Sequence, residues 1–132
     1  MDLNKMIFVF GSNEAGIHGA GAAKHALSLG ASMGVGFGKQ GKTFAIPTKN
    51  WQIDFMKTEI IEHYVFRFIE YARLNPQLAF QVTCLGCGLA GYKHHQIAPM
   101  FRVNRLDSLP NLYFDTLWKD YLSPQAKFWG TY

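Results

Sequence analysis

The chain has 132 residues, of which 48% are hydrophobic and 17% charged, and its net charge is +4. This length suits one domain with one sizeable core, and the balance is the reverse of a disordered chain's. No run of about 18 apolar residues is present, so no membrane span is predicted, and two cysteines, Cys84 and Cys87, are too few for a disulfide framework.

Along the chain, Met6–Phe10 (MIFVF) is an apolar run of strand length, suited to a strand buried on both faces. It lacks the long apolar region and cleavage site of a signal peptide, so the cytoplasm is the expected setting. Residues 11–21 follow with four glycines in eleven positions. Ala22–Leu29 has helix formers and Gly30 ends it. Residues 30–42 form another glycine-rich connection, and Thr43–Pro47 reads as a short strand.

Phe55–Leu74 carries the strongest helix signal. Ile60, Ile61, Tyr64, Val65, Phe68, Ile69 and Ala72 fall on one face, and Asn75-Pro76 stops it. Leu78–Leu85 is a strand candidate that runs into a second loop, Gly86–Tyr92. A short helix is expected over Gln96–Val103, a last strand over Asn111–Phe114, and a helical turn or two over Thr116–Leu122. Alternation of strands and helices implies an α/β fold with a largely parallel sheet. Ligands of such sheets sit beyond the carboxyl ends of the strands, where both glycine loops begin.

The first loop reads GSNEAGIHGAGAA from Gly11 to Ala23, and the second reads GCGLAGY from Gly86 to Tyr92. Glycines let backbone N–H groups approach a phosphate without a Cβ in the way. The helix expected near Ala22 adds its own free N–H groups. Among the first 50 residues stand Lys5, Lys24, Lys39, Lys42 and Lys49 against only Asp2 and Glu14. The cations are scattered rather than in a block, which suits a compact anion and not a nucleic-acid backbone.

Taken together, Gly11-Ser12-Asn13, His18–Ala23, Ala45–Lys49 and Gly86–Tyr92 resemble, in order, the motifs of the macro domain family of ADP-ribose binders. The likeness is greatest to its short bacterial and phage members and spans about residues 6–103. It implies a three-layer α/β/α fold with a mixed, mostly parallel sheet and helices on both faces, forming a single domain over residues 1–132. Gly11, Ser12 and Asn13 would meet the ligand, with Asn13 bonding the distal ribose. Gly19, Ala20, Gly21 and Ala22, together with Gly86, Cys87, Gly88, Leu89, Ala90, Gly91 and Tyr92, would wrap the diphosphate and that ribose. In place of the Asp that reads the adenine amino group in a typical member, the N-terminal segment offers only Asp2.

The implied function is binding of ADP-ribose or a related NAD-derived nucleotide. In its catalytic version an ADP-ribose 1″-phosphate or ADP-ribosyl adduct is hydrolysed; in its other version the chain is a non-catalytic sensing or sequestering module. His18, inside the first loop, is the candidate general acid/base. Glu14 is the candidate to orient a water, and Lys49 to pair with a phosphate. No cofactor, metal or membrane is implied, nor a nucleic-acid partner, and the expected state is a monomer or small homo-oligomer.

Two other patterns compete. Gly36–Thr43 matches the P-loop pattern G-x-x-x-x-G-K-T, the basis of a nucleotide hydrolase reading, but a helix should follow it and Thr43–Pro47 is strand-like. Cys84-Leu-Gly-Cys87 matches a redox pair, yet it closes a strand instead of opening a helix. Zinc on these cysteines would need His94 and His95, an unusual adjacent pair.

Overall fold

A computed structural model describes residues 2–131. The first strand, β1 (Ile7–Asn13), leads through the first glycine loop to a short helix, α1 (Gly21–Leu27). A hairpin follows, β2 (Gly38–Gln40) and β3 (Thr43–Lys49), then the long helix α2 (Thr58–Leu74) and β4 (Phe80–Val82). The second glycine loop leads to α3 (His94–Ile97), which continues into 3-10 turns. Two strands, β5 (Leu112–Asp115) and β6 (Lys127–Gly130), flank a 3-10 turn at Thr116–Tyr121.

The six strands form one sheet in the order β2-β3-β1-β4-β5-β6. Only β2 runs antiparallel to its neighbour. The fold is therefore α/β with a mixed, mostly parallel sheet, consistent with three layers.

Strand β1 is central, and alternate side chains serve opposite faces. Phe8 and Phe10 join Ala45 and pack with Ala23 and Ala26 of α1. Ile7 and Val9 join Phe44, Ile46 and Phe80 and pack with Ile61, Val65, Phe68, Ile69 and Ala72 of α2. The helical stripe is narrower than its periodicity suggests, for Ile60 is exposed. Rings in this layer meet edge-on, as Phe68 does with Phe44 and Phe80 at 4.9 and 5.2 Å.

Several boundaries differ from the sequence reading. Helix α2 starts at Thr58 rather than Phe55 because residues 50–54 form a closed loop. Strand β4 ends at Val82 because Thr83 turns both its N–H and its Oγ1 onto the Val9 carbonyl, at 3.2 and 2.7 Å. Strands β2 and β6 were not expected. Each is short and lies at an edge of the sheet, where no apolar run is needed.

The P-loop lookalike folds into the β2–β3 hairpin. Gly41 supplies the turn at a φ of +56°, and Thr43 opens a strand instead of a helix. The strand–loop–helix context that makes this pattern a phosphate site is absent there.

Candidate functional site

At the carboxyl ends of the parallel strands lies a cavity of about 720 Å³. Strands β1 and β4 are neighbours, but α1, which follows β1, packs on one face, and the helices after β4 pack on the other. The connections part between them, which opens a crevice of the kind that holds ligands in open α/β sheets.

Both glycine loops border this cavity, the first through Gly11–Asn13 and Gly19–Ala23, the second through Gly86–Ala90. They nearly touch at their roots, since a Cβ on Gly11 would lie 3.1 Å from the Gly86 nitrogen. Among the described residues, the N–H groups of Gly19 and Ala20 and those of Gly88, Leu89 and Ala90 donate to no protein acceptor. Helix α1 begins beside them without a side-chain cap. These uncommitted donors stand on two sides of one cavity, an arrangement chemically suited to accept an anion. Lys49, at the end of β3, brings a cation to the same wall.

Asn13 borders the cavity, but its amide first closes its own loop. Its Nδ2 donates to the Ile17 carbonyl and its Oδ1 accepts from the Ile17 N–H, both at 2.9 Å. One Nδ2 proton and one Oδ1 lone pair are left for a ligand. A register shift between Ser12 and Asn13 bends β1 at this point.

The glycine-rich stretch at 30–42 buttresses the first loop from behind. Gly34 N–H donates to the Gly16 carbonyl at 2.8 Å, and Ser12 Oγ donates to the Gly36 carbonyl. His18 is part of this support. It is 2% exposed, its ring lies edge-on to Phe10, and Nε2 sits 3.1 Å from the Val35 carbonyl. A carbonyl only accepts, so Nε2 is the donor to it, while Nδ1 is buried with no partner among the described residues.

His18 does not border the cavity. Glu14 does not border it either. Its carboxylate accepts a 2.6 Å hydrogen bond from Tyr64 Oη, which ties the loop to α2. Burial, the Glu14 bond and the Glu14 charge together push the Tyr64 phenol up to about 12. In the second loop, Gly91 and Tyr92 also lie off the cavity wall. Tyr92 is buried, its ring lies tilted against Phe55 and its hydroxyl bonds the Met56 backbone, so it ties the loop to residues 55–56.

The cavity has further polar walls that the motif reading passed over. Thr48 comes from β3, Thr83 and Cys84 follow β4, Asp115 ends β5, and His94 opens α3. Asp115 accepts from the Leu117 N–H at 2.9 Å and from Thr131 Oγ1 at 3.2 Å. Its place in the wall depends on β5 lying beside β4, which no residue pattern announces. The thiols of Cys84 and Cys87 are free. Burial pushes both up, Cys84 further through the Asp115 carboxylate, and Cys87 to about 11. Among the described residues no three His, Cys, Asp or Glu side chains gather as a metal site.

The mouth is apolar. Ile17, Ile53, Leu89 and Leu117 follow four different strands, border the cavity and stay exposed. Comparison with known proteins adds nothing further: no family model, curated protein or solved structure matches this chain.

Proposed function

We propose that this chain is a macro-like domain that binds ADP-ribose or a related NAD-derived nucleotide in the cavity between β1 and β4. The observation that carries the reading is the pairing of the two glycine loops. Their uncommitted N–H groups flank one space of about 720 Å³, within the range of small-molecule sites. A diphosphate placed between them would take donors from both sides and the Lys49 charge at the edge. The apolar mouth and the polar walls at Thr48, Thr83 and Asp115 would leave room for the sugars and the base.

The placement of His18 and Glu14 favours a binding module over a hydrolase working through those two side chains. Calorimetric titration with ADP-ribose, ATP and inorganic phosphate tests the reading. ADP-ribose is expected to bind more tightly than either comparison ligand. No heat at millimolar ADP-ribose overturns the proposal.

A further inference from the structure

The cavity contains a histidine whose tautomer the fold dictates. His94 opens α3 and borders the cavity, and its Nδ1 lies 3.0 Å from Nε1 of Trp118. An indole N–H only donates. His94 Nδ1 must therefore be a bare lone pair, and the proton of the neutral ring sits on Nε2. Trp118 is fully buried, clamped by Phe101 and Phe114 at 5.6 and 6.3 Å, so the lock is part of the core. Tyr121 lies 6.3 Å from the His94 ring at a 31° tilt. Among the described residues, Nε2 has no protein partner.

The Trp118 N–H, which also lies against the Cys87 thiol, gives the His94 ring a donor from the core that favours one orientation and one tautomer. The same segment places Asp115 three residues earlier in the cavity wall. We propose that His94 is a ligand-binding residue, a neutral imidazole held by Trp118 so that its Nε2–H donates to an acceptor oxygen of the bound ligand. This rests on the cavity being the nucleotide site. It adds a side-chain donor outside both glycine loops and casts His94 as a hydrogen-bond donor, not as a base or a metal ligand.

Nitrogen NMR of the histidine rings, with and without ADP-ribose, tests this on the unmodified protein. In the free protein His94 is expected to show an unprotonated Nδ1 and a protonated Nε2, and Trp118→Phe is expected to let the two tautomers mix. A proton on Nδ1 in the free wild type overturns the lock. On saturation the Nε2–H resonance is expected to move, and His94→Ala to weaken ADP-ribose roughly fivefold, the scale of one neutral hydrogen bond. If the amides of Gly88 and Leu89 shift while His94 does not, this proposal falls alone. If no amide of either loop shifts, the nucleotide reading falls and takes this one with it.

Discussion

Ile53 holds a φ of +62°, in the left-handed region that a β-branched side chain avoids. Asn50 enforces it. Its Oδ1 accepts from the N–H groups of Gln52 and Asp54, both at 2.9 Å, and its backbone N–H takes the Asp54 carbonyl at 3.1 Å. The loop so closed presents Ile53 at the mouth of the cavity. Strain kept beside a cavity points to a use for the side chain. Ile53→Gly is expected to raise stability by about 1 kcal/mol in urea unfolding, by relieving the φ, and to weaken ADP-ribose in titration. Tyr64 gives a prediction of opposite character. Its phenol rises from 10.0 to about 12 on folding, so the folded state favours the neutral form. That contribution is whole below pH 10 and is lost as pH rises from there toward 12. Tyr64→Phe should therefore cost about 1 kcal/mol at neutral pH, the worth of one hydrogen bond, and the gap to wild type should narrow above pH 10 in unfolding curves. None of this was legible from residue types. Glu14 and His18 stood in the right loop, but their partners, Tyr64 and Val35, are set by packing across 50 and 17 positions.

Among the elements, the glycine loops divide into positions that serve the fold and positions that leave space. A Cβ on Gly36 would fall 2.4 Å from the Asn13 carbonyl oxygen, a backbone atom with nowhere to go. Gly19 and Gly88 border the cavity, have no left-handed φ, and would meet nothing within 4 Å. Gly36→Ala is expected to cost roughly 2 kcal/mol in thermal or urea unfolding, as overpacking does. Gly88→Ala should leave stability unchanged or raise it by up to about 1 kcal/mol through the unfolded chain, while lowering ADP-ribose affinity if the proposed diphosphate site is right, because the new methyl would enter that space. Spacing alone could not separate these glycines. What it did reveal was the elements with strong periodicity: β1, β3 and α2 lie within a few residues of their expected bounds. The edge strands β2 and β6 carry too little apolar pattern to be read.

On the scale of the whole molecule, the order β2-β3-β1-β4-β5-β6 sets where the chemistry sits. The chain leaves β1 toward one face and β4 toward the other, so the crevice between them is a consequence of topology, and any ligand there faces the ends of β1, β3, β4 and β5 together. That gathering was legible in outline, because both loops follow strands. The contributions of Asp115 and His94 were not, since they depend on β5 lying beside β4. Cys84 and Cys87 stand in the same crevice and provide a probe of its occupancy. Burial holds both thiols in the neutral form at neutral pH, with Cys87 up at about 11. Only the thiolate is alkylated, so labelling of Cys87 should be slow at neutral pH and rise about tenfold per pH unit below its pKa. Mass spectrometry of iodoacetamide-treated protein reads this directly. Saturating ADP-ribose should slow labelling further, because a ligand bridging the two loops covers the Cys87 wall. Protection by ADP-ribose but not by phosphate would tie the crevice to a ligand long enough to span both loops. Equal labelling with and without ADP-ribose would remove the crevice from consideration as its site.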